Sequence, residues 1–165
     1  MSEPQFSLSD YLSTVQEVIQ ITFNEPVWVK AEIRNLNIKG GHYYLELAEK
    51  DESTDKVIAS CKGTIWKFIA QKMVLKFERE SGVELSKDLN VLVKVRAKFD
   101  PQYGFSVNVE DIDSSYTLGD IARHYQQILE RLTSEGLLNK NKLVPTPFDI
   151  QNVLVIAPEN AAGLG

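Results

Sequence analysis

A chain of 165 residues that is 43% hydrophobic and 25% charged has the balance of a folded protein rather than a disordered one. Its apolar runs, such as Val153 to Ala157, are too short to cross a bilayer, and the amino terminus has neither a basic start nor an apolar signal core, so the expected compartment is the cytoplasm. The lone Cys61 excludes an internal disulfide and a cysteine-based zinc site, and the net charge of −5 hides a split: 0 basic against 4 acidic residues in 1–26, 14 against 11 in 27–105 and 4 against 8 in 106–165.

Ser7 and Asp10 have capping-box spacing, and Leu8, Tyr11, Leu12, Val15, Val18 and Ile19 recur at helical intervals, which predicts a helix from about Ser7 to Phe23. Asn24 to Pro26 ends it. From Val27 the period becomes 2. Val27, Val29, Ala31 and Ile33 alternate with Trp28, Lys30, Glu32 and Arg34, and after a turn over Asn37 to Gly41 the residues Tyr43, Leu45 and Leu47 alternate with His42, Tyr44 and Glu46. A charged turn, Glu49 to Asp55, precedes a third strand that ends near Ile65, in which the alternation of Val57, Ala59 and Cys61 implies a buried thiol. Trp66, Ile69, Met73 and Phe77 share one helical face that stops near Gly82. Two more strands follow, Val91 to Phe99 and Phe105 to Val109, hinged at Asp100 to Gly104.

Five strands with a helix between the third and fourth is the order of an OB-fold, a partly open Greek-key barrel that binds oligonucleotides on strands two and three and through two flanking loops. The competing architecture is a small open sheet covered by helices. After the barrel, Thr117 and Asp120 repeat the capping-box spacing ahead of an amphipathic helix through Leu118, Ile121, Tyr125, Ile128 and Leu132 that ends at Gly136. A basic connector, Lys140 to Pro147, leads to Asn152 to Pro158, an apolar run with the pattern of a buried parallel strand opening an α/β unit. The domain expectation is therefore a helix packed on the barrel in 1–26, the barrel in 27–115, a helix and connector in 116–150 and the start of a truncated α/β domain in 151–165, as the front part of a longer protein.

Aromatic and cationic side chains gathered on one strand face suit stacking of unpaired bases and neutralisation of phosphates. Tyr44 is the expected stacking residue, with Tyr103 and Gln102 at the hairpin tip positioned to close over a strand. Arg34, Lys39 and Lys62 are the expected phosphate contacts around Tyr44, and Lys30 and His42 complete the candidate set. His42 serves equally as a structural hydrogen-bonder. Trp28 is read as packing against the first helix, Phe99 and Phe105 as core, and Lys67, Lys72 and Lys76 as a wet helix face. No catalytic residue is expected: His42 and His124 lie on different elements, Asp51, Glu52 and Asp55 form a surface turn, and alternation separates Glu110 from Asp111 and Asp113, so no metal or cofactor is called for.

The chain resembles the amino-terminal region of the large subunit of bacterial exodeoxyribonuclease VII. The resemblance rests on Trp28, Glu32-Ile33, Asn35, Gly41-His42 and Tyr43-Tyr44, then Phe99-Asp100-Pro101, Gly104 and Phe105, then Glu135 to Leu138, Leu143 to Pro147 and Val153 to Ile156, all in order. It departs in the longer turn Lys50 to Lys56, the extended helix Trp66 to Glu80, and Ala161 where the family tends to have Gly. The resemblance implies single-stranded DNA binding by the barrel, in a parent enzyme that hydrolyses single-stranded DNA to oligonucleotides from either end. It also implies an active site beyond Gly165 and small subunits held by a later helical region, leaving this chain able to bind without cutting. The alternatives are an RNA-binding OB-fold of the anticodon-binding type and a protein-docking barrel.

Overall fold

The computed structural model describes residues 5–51, 53–145, 148–149 and 153–157. It contains α1 (Leu8–Thr22), β1 (Val27–Lys39), β2 (His42–Lys50), β3 (Val57–Ile65), α2 (Lys67–Ser81), β4 (Asn90–Asp100), β5 (Gly104–Asp113), α3 (Ser114–Ser134) and a short 3-10 turn, Lys140–Leu143. The chain divides into two compact units, Met1–His124 and Tyr125–Gly165.

The five strands close a barrel in the order β1-β2-β3-β5-β4, with β3 and β5 parallel and every other pair antiparallel. This is the OB-fold expected from the element order. One long strand makes closure possible. The first half of β1, Val27 to Glu32, pairs with β4, and the second half, from Glu32 to Lys39, pairs with β2, with a bulge at Arg34 between the paired Ile33 and Asn35. A bulge bends a strand and sharpens its twist, which lets β1 serve two sides of the barrel. β1 runs to Lys39 rather than breaking at Asn37, because Gly40 and Gly41 (φ +62° and +83°) make a two-residue turn. Positive φ at both central positions is what such a hairpin turn requires, and Gly-Gly supplies it without strain.

Inward side chains fill the barrel, with Ile33, Ile65, Val91, Val93 and Val109 fully buried. Gly63 in β3 belongs to this interior: a β-carbon there would lie 3.2 Å from Leu47 Cδ1. α2 plugs the barrel with Ala70, Met73, Val74 and Phe77, the i, i+3, i+4, i+7 spacing of one helical face. It ends where expected, on Gly82 in the left-handed region (φ +71°), whose N–H reaches the Glu78 carbonyl. A separate hollow of about 370 Å³, lined by Phe23, Val27, Val29, Cys61, Ala97 and Phe105 among others, has no α2 residue in its wall.

α1 is capped by Ser7, whose Oγ accepts the Asp10 N–H at 3.1 Å. It lies along β4, with Gln16 Nε2 donating to the Phe99 carbonyl at 2.9 Å, yet none of its side chains is buried. α3 begins three residues before the expected Thr117, directly off β5, since Asp113 Oδ1 accepts the N–H groups of Ser115 and Tyr116 and so caps it. Thr117 and Asp120 are buried tethers instead of a capping box. Thr117 Oγ1 donates to the Asn90 carbonyl at 3.0 Å, and Asn90 Nδ2 donates to Asp120 Oδ2 at 3.0 Å.

Of the apolar run expected as a strand, the described residues Val153 to Ala157 are exposed and lie in no strand. Asn152, Pro158 and Ala161, like Glu52 and Pro147, lie outside the described residues.

Candidate nucleic-acid interface

The outer face of the barrel is set by β2. Its alternation buries Leu45 and Leu47 and turns His42, Tyr44 and Glu46 outward. Tyr44 stands opposite Asn37 on one side and Thr64 on the other, neighbours too short to cover its ring, which is 43% exposed. The ring borders a groove of about 490 Å³ whose wall includes Asn35, Asn37, Lys62, Tyr103 and Phe105. Tyr103 comes from the β4–β5 hairpin. There Asp100 Oδ1 accepts the N–H groups of Gln102 and Tyr103 at 2.9 and 3.1 Å, and Gly104 takes a positive φ of +77°. This pins the loop backbone while the Tyr103 ring stays 76% exposed. Two aromatic rings from separate elements thus border one groove beside a lysine.

Phe105 departs from its expected core role. Alternation puts it on the inner side with Val107 and Val109, but it is 48% exposed. β5 meets β3 only from Ser106 to Asn108, so at Phe105 the sheet has no β3 residue beside it. Phe105 accordingly walls both the groove and the apolar hollow, and Phe99 is half-buried and outside the main core cluster. Cys61, half-buried and lining both the groove and the hollow, has its thiol pKa pushed up by burial.

The candidate cations divide. Lys62 lines the groove, and Arg34, at the β1 bulge, lies 3.7 Å from Glu46 in a half-exposed ion pair. Such pairs contribute little to stability, so the guanidinium can exchange Glu46 for a phosphate at small cost. Lys39 ends β1 opposite His42 and is exposed. Lys30 points elsewhere: its ammonium stands 5.7 Å from the centroid of the Tyr116 ring, and it does not line the groove. Trp28, opposite Lys94, is half-exposed and also outside the groove.

His42 adopts the structural role weighed for it. Its Nδ1 accepts the Lys67 N–H at 3.1 Å, which places the proton of a neutral ring on Nε2. Trp66, expected on the buried helix face, instead precedes α2 at the surface. Its Nε1–H donates to Asn108 Oδ1 at 2.9 Å, and its ring meets His42 edge-on with centroids 5.2 Å apart. The signal for this was present in the sequence, because Lys62, Thr64 and Trp66 continue the outward alternation of β3 past its end. Asn108, Lys98 and Phe105 had no comparable marker.

Of the neighbouring acids on β5, Glu110 pairs with Arg96 at 2.7 Å, Asp111 accepts the Ile112 N–H and Asp113 caps α3. No cluster of metal-ligating side chains occurs among the described residues.

The sequence of residues 6–113 matches the family model described as an OB-fold nucleic acid binding domain. An exodeoxyribonuclease 7 large subunit of Deinococcus radiodurans is 40% identical over 167 residues, covering 99% of this chain and 40% of that protein. One from Streptococcus thermophilus is 25% identical, covering 94% of this chain and 33% of that protein. The chain therefore spans well under half the length of these relatives. Among solved structures, aspartyl tRNA synthetase from Entamoeba histolytica has a TM-score of 0.39 at 15% identity, over 59% of this chain and 20% of that one. A small single-stranded DNA binding protein from Mycoplasma pneumoniae has 0.33 at 10%, over 54% and 91%. The chain belongs to the family of OB-fold nucleic acid binding domains, and over nearly its whole length it is similar to exodeoxyribonuclease VII large subunits.

Proposed function

We propose that this chain is the single-stranded DNA-binding part of an exodeoxyribonuclease VII large subunit, with residues 27–115 as the binding domain, 116–150 as a connector and 151–165 as the start of a catalytic domain. The observation that carries the binding assignment is the groove in which the exposed rings of Tyr44 and Tyr103 accompany Lys62. Every base has a π-face, so stacking on two rings is tolerant of sequence, and it demands unpaired bases because duplex bases present only their edges. Arg34, Lys39 and Lys62 hold the backbone while the rings hold the bases. The parent protein then cuts phosphodiester bonds of the captured strand in a domain that follows, assisted by small subunits, and this chain alone binds without cutting.

The test is anisotropy of labelled oligothymidylate, tRNA and duplex DNA titrated with the chain at one salt concentration, with product analysis on a gel. Tighter binding of single-stranded DNA without cleavage supports the assignment. Preference for tRNA would make it an RNA-binding OB-fold. No binding, together with a larger particle by light scattering, would make it a docking barrel.

A further inference from the structure

The groove leaves one aromatic surface unexplained. Trp66 packs into no core, since the buried residues of α2 begin at Ala70, and it remains 40% exposed. Yet it is firmly held. Asn108, 42 residues away on β5, accepts its indole N–H at 2.9 Å, the His42 ring abuts it at 84°, and the Lys98 ammonium stands 5.8 Å from its centroid. We propose that Trp66 is a second base-stacking subsite, which takes a further base of the same single strand whose neighbouring base lies on Tyr44, with Lys98 serving that nucleotide's phosphate.

Three observations lead to this. Tyr44, His42 and Trp66 form a continuous run of rings on one face, with centroid steps of 6.4 and 5.2 Å, so a splayed strand passes from the groove to Trp66 without leaving the surface. The indole is fixed by its polar edge, and an aromatic already held in place loses little conformational freedom when a base stacks on it. The cation over the ring comes from a flexible lysine. A base can displace it from the π-face, after which the same ammonium meets the backbone. Lys67, exposed at the first position of α2, runs its side chain over Gly41 in the β1–β2 turn and adds a second positive charge on the elements that carry His42 and Trp66.

This inference rests on the single-stranded DNA reading above, and its test separates the two. Trp28→Phe leaves Trp66 as the sole tryptophan. Titration with short and long oligothymidylates, following tryptophan emission and oligonucleotide anisotropy together, should show quenching of Trp66 in step with binding. Trp66→Ala should weaken the long oligonucleotide by roughly five- to a hundredfold, the worth of one stacked base, and change the short one little. Asn108→Ala, which frees the ring without removing it, should give a smaller loss. Binding with unchanged Trp66 emission and undiminished affinity in Trp66→Ala would overturn the subsite while leaving the groove intact. Absence of binding by the unaltered chain would overturn both. Should Trp66→Ala fail to fold, judged by circular dichroism, the emission experiment decides alone.

Discussion

The Lys67 N–H donates to His42 Nδ1 at 3.1 Å, so the first turn of α2 is capped by a side chain from β2 while the N-cap residue, Trp66, makes no capping bond of its own. Four N–H groups at a helix start lack intrahelical partners, and satisfying one with a side chain contributes about 1 kcal/mol. His42→Ala should therefore destabilise the fold by about 0.5–2 kcal/mol in urea unfolding. It should also loosen Trp66, whose ring loses its edge contact, seen as a change in tryptophan emission of the folded variant. Unchanged stability would make this contact incidental.

Tyr44 tests the stacking role directly. Its ring is exposed between Asn37 and Thr64, so removal leaves no cavity in the barrel. Tyr44→Ala should weaken oligothymidylate binding by about 1–3 kcal/mol at nearly unchanged melting temperature, and Tyr44→Phe should retain most of the affinity. Equal losses in both variants would assign the effect to the hydroxyl.

The separation of Lys62 from Lys30 gives a prediction about salt. Each phosphate contact to a single strand adds about 0.7 to the slope of log affinity against log salt. Lys62→Ala should reduce that slope by this amount, whereas Lys30→Ala, which removes a cation standing over Tyr116 and away from the groove, should leave it unchanged. A slope lowered equally by both would mean that the DNA also contacts the β1–β4 face.

The barrel was legible because its determinants are local: alternation in β1 and β2, the glycine-containing turn, the helical face of Ile69, Met73 and Phe77, and Gly82 at the helix end. What escaped depends on long-range pairing. Phe105 alternates as a core residue, and only the short contact between β3 and β5 leaves it half-exposed. Lys30 and Arg34 are both on β1, and the bulge at Arg34 with the handover of β1 from β4 to β2 sends them to different faces. Trp66 fits a helical spacing with Ile69 and Met73, but its bond to Asn108 is set by the parallel pairing of β3 with β5. Thr117 and Asp120 imitate a capping box because their spacing is right, and the true cap, Asp113, sits at a strand end where helix periodicity gives no cue.

Gly63 should tolerate nothing large. A β-carbon at this site would be 3.2 Å from Leu47 Cδ1 and 3.5 Å from Leu45 Cβ, inside a filled barrel. Gly63→Val should cost about 1–3 kcal/mol by overpacking, measured by chemical denaturation. The strain falls on β2 directly behind Tyr44, so the folded variant should also bind oligonucleotide more weakly. Gly82→Ala meets no neighbour and is strained only by its positive φ, which makes it the control for backbone against packing.

Asp51, in the turn between β2 and β3, carries a distinctive acid titration. The hydroxyls of Ser53 and Thr54 and both of their backbone N–H groups donate to its Oδ1, and these bonds lower its pKa from 3.8 to about 2. A carboxylate whose folded pKa is depressed stabilises the fold fully above its unfolded pKa, and that contribution is lost as pH falls through the folded value. The turn should thus stay ordered down to about pH 3 and loosen as pH approaches about 2. Asp51→Asn should remove this step from the turn's pH dependence, since an uncharged amide gains nothing from deprotonation. The measurement is the carboxyl carbon shift of Asp51 against pH, together with the Ser53 and Thr54 amide shifts. A midpoint near 4 for Asp51 would mean that the four donors do not hold the turn in solution.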